Sequence, residues 1–145
     1  MSELPRHSVS VTGIVVRDDK RILAIKRSDD GRWVPPGGVL EIDETPQDGV
    51  AREVYEETGL KVQPLRLSGV YKNMRLGVVS LAFVCDVVGG QEHTSSEAAR
   101  VAWLSPDEAI AAMPPARAIR VTDALSGGGP FVRVHDGDVV LESDG

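Results

Sequence analysis

Residues 37–60 read GGVLEIDETPQDGVAREVYEETGL, and the helix signals inside this stretch decide the fold. Thr45 has the side chain of an N-cap, Pro46 follows at the first helical position, and Asp48 lies three residues after the cap. Gly59 supplies a C-terminal stop. The pattern predicts a helix from about Pro46 to Thr58, with Ala51, Val54 and Tyr55 on its apolar side and Val50 at the edge. Pro35, Pro36, Gly37 and Gly38 cannot all lie inside regular structure, so a rigid bend leads into the helix.

Strands flank this unit. Residues 8–16 (SVSVTGIVV) are rich in β-branched residues, and residues 21–27 (RILAIKR) alternate well enough to be the second strand of a hairpin turned on residues 18–20. SDDGR is a loop and WVP an extended piece. After the helix, residues 65–73 and 76–88 read as two long strands, residues 89–98 as a polar loop and residues 100–104 as a short strand. SPDEAIAAM (105–113) opens with a Ser cap and a Pro, which predicts a second helix broken at Pro114 and Pro115. Residues 116–125 form a third helix. SGGGP is a connector, and residues 131–142 a hairpin turned on Asp136-Gly137. With no internal repeat and no separating linker, the expectation is one domain over residues 1–145, an α/β fold with helices on the faces of a mixed sheet.

The net charge of −6 argues against a surface built for nucleic acid, although a divalent cation lets an acidic protein handle a polyanion. The single cysteine, Cys85, lies in the apolar run SLAFVCDVV and reads as a buried thiol. MSELPRHSVS has no apolar core of signal-peptide length, and the apolar-rich stretch from Gly77 to Val88 is too short to span a bilayer. The expected location is cytoplasmic.

Glu53, Glu56 and Glu57 have the i, i+3, i+4 spacing that places side chains on one helix face. Each like-charged pair costs about 0.2–0.5 kcal/mol on an exposed helix, and more where the dielectric is low. Arg52 can neutralise one of these carboxylates but not all three. Taken alone, the triplet reads first as a solvated acidic face. Three observations turn the reading toward a cation. Glu41, Asp43 and Glu44 add acid from the preceding loop. The Gly-rich bend lets backbone carbonyls approach a ligand. The triplet also sits toward the helix C-terminus, where the macrodipole disfavours anions. Carboxylate and carbonyl oxygens with room for water suit a hard divalent cation such as Mg²⁺, whose open positions take phosphate oxygens and an attacking water.

The same residues carry a family resemblance. Gly38, five residues, Glu44, seven residues, and then Arg52-Glu53-Val54-Tyr55-Glu56-Glu57-Thr58-Gly59-Leu60 resembles the Nudix box at every fixed position over 23 residues. The preceding strands, the WVPPGG approach and the later RVAWLSPDEA segment are also similar to a Nudix domain. The resemblance implies an α/β/α sandwich around a mixed β-sheet. It further implies Mg²⁺-dependent (sometimes Mn²⁺-dependent) hydrolysis of a nucleoside diphosphate linked to another group, by water attack at phosphorus. Carried over by position, Glu53, Glu56 and Glu57 are expected metal ligands, the Gly38 carbonyl an additional one, and Glu44 with Arg52 a structural ion pair. Glu97 is placed like the later-loop acid that serves some family members as ligand or base, so the expected catalytic set is Glu53, Glu56, Glu57 and Glu97.

Arg27, at the end of the second strand, is a candidate phosphate contact. Tyr71, Lys72 and Arg75, near the end of the strand after the box, are candidate substrate contacts. Trp33 reads as packing under the bend. His7, His93 and His135 lack metal-ligand spacing and read as incidental. ADP-ribose enzymes of the family often carry a proline where Arg75 and Leu76 stand. Some dinucleoside-polyphosphate enzymes carry a tyrosine where Gly77 and Val78 stand. The lean is therefore toward a nucleoside triphosphate or similar small nucleotide, with no nucleic-acid or membrane partner; a homodimer is compatible with the sequence. The alternative is a module that senses a nucleotide without hydrolysing it.

Overall fold

The caps read from the sequence form, and they fix the central helix. The computed structural model describes residues 3–141. Helix α1 spans Pro46–Thr58; Thr45 Oγ1 accepts the Asp48 N–H at 3.1 Å, and Gly59, at φ 80°, donates its N–H to the Tyr55 carbonyl at 2.8 Å. The strands are β1 (Ser8–Val15), β2 (Ile22–Arg27), β3 (Trp33–Val34), β4 (Gly37–Val39), β5 (Leu60–Asn73), β6 (Val78–Gly90), β7 (Ala98–Leu104), β8 (Phe131–His135) and β9 (Val140–Leu141). Helices α2 (Pro106–Ala112) and α3 (Pro115–Leu125) lie between β7 and β8. Ser105 and Glu108 make a full capping box on α2.

The strands form two sheets. The larger runs β4-β1-β6-β5-β8-β9, and the smaller β3-β2-β7. In the larger sheet β1 pairs parallel with β6 and β5 parallel with β8, while the other pairings are antiparallel. Strand alternation sends neighbouring side chains to opposite faces. Val11, Val15, Phe83 and Cys85 pack with Val50 and Val54 of α1. Ile14 packs with Ala109 and Met113 of the α2 region and with Ala118 and Val121 of α3. The larger sheet is thus covered by α1 on one face and by α2 and α3 on the other, the expected α/β sandwich. No helix among the described residues is long and apolar enough to cross a membrane.

Four local expectations are corrected. The first two long strands are not a hairpin: β1 joins the larger sheet and β2 the smaller, and the backbone bridge from Val16 to Ile22 is all that joins their ends. Strand β5 begins at Leu60 rather than 65 and runs through Pro64, where a register shift against β6 accommodates the missing N–H. Strand β6 begins at Val78 because Gly77, at φ 69°, belongs to the turn. Tyr55 is 47% exposed, so the buried side of α1 is Val50 and Val54 together with Glu53, Glu57 and Thr58. The final hairpin is found, with Asp136 Oδ1 accepting the N–H groups of Asp138 and Val139; residue 142 lies outside the described residues. Cys85 is buried, and burial pushes its thiol up to about 12.

Gly13 sets how closely α1 approaches the sheet. A Cβ there would stand 2.8 Å from Val54 Cγ2 and 3.3 Å from Val50 Cγ2, and both are stiff β-branched side chains of α1. Gly13→Ala is therefore expected to destabilise the protein by about 1–3 kcal/mol, the usual cost of overpacking. Urea unfolding checks this; an unchanged midpoint would show that the helix sits more loosely than the geometry indicates.

Candidate active site

The charged half of the box is organised around one guanidinium. Arg52 donates from Nε and Nη2 to the two Glu44 oxygens at 2.9 and 2.6 Å, and from Nη2 to the Val39 carbonyl at 3.1 Å. Its Nη1 reaches Glu53 Oε1 at 3.0 Å and Glu56 Oε2 at 3.3 Å. Glu44 Oε1 also accepts the Glu41 N–H at 2.9 Å. Arg52 holds the Glu44 carboxyl down at about 2, with help from the Glu41 N–H, and Glu44 in turn raises the Arg52 pKa. The Glu44–Arg52 pair thus fastens the loop before α1, the helix itself and strand β4 to one another.

The three glutamates do not share one environment. Glu53 and Glu57, one turn apart, turn inward toward β4 and are 8% and 4% exposed, whereas Glu56 stands at the rim with Arg52 as its partner. Glu57 Oε1 accepts the Gly37 N–H at 2.8 Å. Gly38 faces Glu53 so closely that a Cβ there would lie 2.6 Å from the carboxylate. Desolvation raises the Glu53 pKa, opposed by Arg52, with Glu56 and Glu97 adding repulsion. Desolvation pushes Glu57 up to about 8, with Glu53 and Glu97 adding to the rise and the Gly37 N–H and Arg27 opposing it.

Glu53, Glu57, Glu97, Glu41, Gly38 and Arg27 line one cleft of about 720 Å³. Glu97 reaches it from the turn before β7, held in place by the Ser28 N–H donating to its carbonyl at 2.9 Å. Arg27 arrives from the end of β2 and is forked onto Asp29 through Nε (2.9 Å) and Nη2 (2.6 Å). Sequence reasoning missed Asp29, Ser28 and Ser96 in this lining. The Arg-x-Asp spacing of the RSDD turn was the available signal for Asp29.

The expected substrate contacts are redistributed. Tyr71 is fully buried on the α3 side of the sheet, and its hydroxyl is given to Asp123 Oδ2 at 2.8 Å, so it offers no hydroxyl to this cleft. Lys72 points to the other face of β5 by strand alternation, and Arg75 is exposed in the turn before β6; neither lines the cleft. Trp33 packs against the α2–α3 cluster, with Arg100 over its ring.

Among the described residues no three His, Cys, Asp or Glu side chains stand assembled as a metal-ligating group. Arg52 holds Glu53 Oε1 and the Gly37 N–H holds Glu57 Oε1. The donor set nevertheless fits a hard divalent cation in type. Two buried carboxylates repel each other and Glu97, and the backbone beside them carries no side chain at Gly38.

Because the folded state raises the Glu57 pKa, the fold favours the protonated acid. In metal-free protein its stabilising effect is complete below pH 4.5 and is lost as pH rises toward about 8. Glu57→Gln is expected to flatten that slope in urea unfolding with chelator present. An identical slope in both proteins would remove the assignment.

The chain matches the NUDIX domain of known families over residues 6–124. It is 59% identical over 133 residues to a "MutT-like protein" of Streptomyces ambofaciens, covering 92% of this chain and 86% of that one. It is 40% identical over 98 residues to an "ADP-ribose pyrophosphatase" of Methanocaldococcus jannaschii, covering 63% and 57% respectively. Its fold is similar to a Nudix hydrolase from Nitrosomonas europaea, with TM-score 0.77 at 20% identity over 92% of this chain and 82% of that one. A like fold is found in an ADP-ribose pyrophosphatase from Streptococcus suis, with TM-score 0.72 at 22% identity over 90% and 100%. The matched domain and the extent of these relationships establish that this chain belongs to the Nudix hydrolase family, as a Nudix pyrophosphohydrolase.

Proposed function

We propose that the cleft hydrolyses a pyrophosphate bond of a nucleoside diphosphate linked to another group, a nucleoside triphosphate or similar small nucleotide, with Mg²⁺ (or Mn²⁺) as the cation. Nudix hydrolases generally use divalent metal ions. The observation that carries the reading is the pair Glu53 and Glu57, buried against a side-chain-free backbone at Gly38 and facing Glu97 and Arg27 across one cleft. Such carboxylates are costly to keep ionised unless a cation joins them.

In this reading Glu53, Glu57, Glu97 and the Gly38 carbonyl would hold the cation, with Glu56 adding charge from the rim. When bound, that cation lowers the pKa of water and offsets the charge of the diphosphate. Arg52 restrains the Glu53 carboxylate from behind, so its orientation is fixed before substrate arrives. Arg27 forks onto Asp29 through Nε and Nη2, and its Nη1, which has no hydrogen-bond partner among the described residues, is the group offered to a phosphate oxygen. Glu53 or Glu97 accepts the proton of the attacking water. Both border the cleft, and Glu57, the most strongly desolvated of the three, is better suited to hold charge against the cation than to cycle a proton.

A panel of nucleoside diphosphate derivatives, with products identified by mass, tests the proposal. Release of product should require Mg²⁺ or Mn²⁺, and Glu57→Gln should lower the rate by at least about two orders of magnitude, the scale for a lost charge-stabilising group. Undiminished turnover in excess chelator, or in Glu57→Gln, contradicts it. A normal rate in Glu97→Gln would remove Glu97 from the set.

A further inference from the structure

Helix α3 carries two arginines toward the sheet rather than toward solvent. Arg120 is 4% exposed, and its Nη1 donates to Thr12 Oγ1 at 2.9 Å and Ser80 Oγ at 3.0 Å. Its guanidinium lies 5.0 Å from the centroid of the Tyr71 ring. Arg120 Nε and Arg117 Nη1 are buried and have no hydrogen-bond partner among the described residues. Among those residues neither arginine is in an ion pair. Asp123, the carboxylate that accepts from Tyr71, is already forked by Arg133 at 2.7 and 2.7 Å.

His135 sharpens the picture. The Gly137 N–H donates to His135 Nδ1 at 2.9 Å, so Nδ1 presents its lone pair and the ring proton sits on Nε2. That Nε2 stands 3.4 Å from Arg120 Nη2. Both atoms are donors, and neither satisfies the other; a shared acceptor would satisfy both. Burial and the two arginines pull His135 down to about 4, which keeps the ring neutral near pH 7. Burial and the Arg117 charge pull Arg120 down to about 9, which leaves it a cation there. Uncompensated buried charge is expensive.

Arg117, Arg120 and His135 line a cavity of about 230 Å³. Arg27 and Gly37–Val39 line it as well, and the same residues border the carboxylate cleft. The two spaces thus adjoin at β4, and a ligand seated by its diphosphate in the cleft has this cavity beside it. We infer that the cavity is an oxyanion subsite, which receives a phosphate or carboxylate carried by the substrate beyond the hydrolysed diphosphate on donors from Arg117, Arg120 and His135. A neutral group would leave both guanidinium groups without an ion-pair partner among the described residues. The assignment to substrate rests on the pyrophosphohydrolase reading; the capacity to bind an oxyanion does not.

The test separates the two. Metal-free full chain is titrated with inorganic phosphate in excess chelator, with chloride at matched ionic strength as control. Saturable shifts are expected in the ¹⁵N signals of Arg120 Nε and the His135 ring. Thermal stabilisation by phosphate should disappear in Arg120→Met and shrink in Arg117→Gln. No stabilisation of the parent protein, or equal stabilisation in the variants, overturns the subsite. Should Arg120→Met fail to fold, the half-buried Arg117→Gln and the parent arginine signals decide. In a second arm, two substrates differing only by an added phosphomonoester are compared. The phosphorylated one should show a KM lower by at least about tenfold, on the scale of one charge-assisted contact, and Arg117→Gln should erase the difference. Phosphate binding without that preference would make this a site for free phosphate and overturn the assignment to substrate. Phosphate binding without hydrolysis of any substrate would count against the hydrolase reading alone.

Discussion

The Arg52–Glu44 ion pair is the constraint on which the geometry of the cleft depends. Helix α1 carries two carboxylates inward near its C-terminal end, where the helix dipole and mutual repulsion both oppose them. Arg52 answers that repulsion from within the same turn, and Glu44 keeps Arg52 from collapsing fully onto Glu53 and Glu56 by taking its Nε and Nη2. The bond to the Val39 carbonyl then ties the helix to β4, which brings Gly37 and Gly38 against Glu57 and Glu53. The α1 side of the cleft is thus ordered around this one guanidinium, while Asp29 and Ser28 fix Arg27 and Glu97 on the other side.

The second organising feature is the separation of opposite charge along β4. Carboxylates border the cleft on its α1 side, while Arg117 and Arg120 border the smaller cavity on the α3 side, with Arg27 common to both. Each half alone is electrostatically unfavourable. A substrate with anionic groups at both ends, together with a divalent cation, would satisfy both halves, and this logic joins the proposed chemistry to the proposed specificity.

Local signals made the box legible. Thr45, Pro46 and Gly59 act within a few residues of chain, so their caps were readable without tertiary information. The Glu44–Arg52 pair and the place of Glu97 came from the resemblance rather than from spacing. The hairpin misread for β1 and β2 has a different origin: alternation identifies a strand but not its partner, and the sheet a strand joins is decided by long-range pairing. Tyr71 illustrates the same limit, since a period of two places it on a face without saying which helix covers that face. His135 and Arg120 were illegible because residues far apart in sequence meet only after β8 lies parallel to β5. The signal in α3 was an arginine at a position its apolar neighbours Val121 and Ala124 mark as buried.

The central claim is that Glu53, Glu57, Glu97 and Gly38 form the site of a divalent cation. It is tested most directly by titrating ¹⁵N-labelled protein with Mn²⁺ and reading paramagnetic broadening of the amide signals. Selective, Mg²⁺-competed broadening centred on Gly37, Gly38, Glu53, Glu57 and Glu97 is the predicted result. Broadening centred elsewhere, on the Asp136–Asp138 turn for example, or none that Mg²⁺ competes, would contradict it.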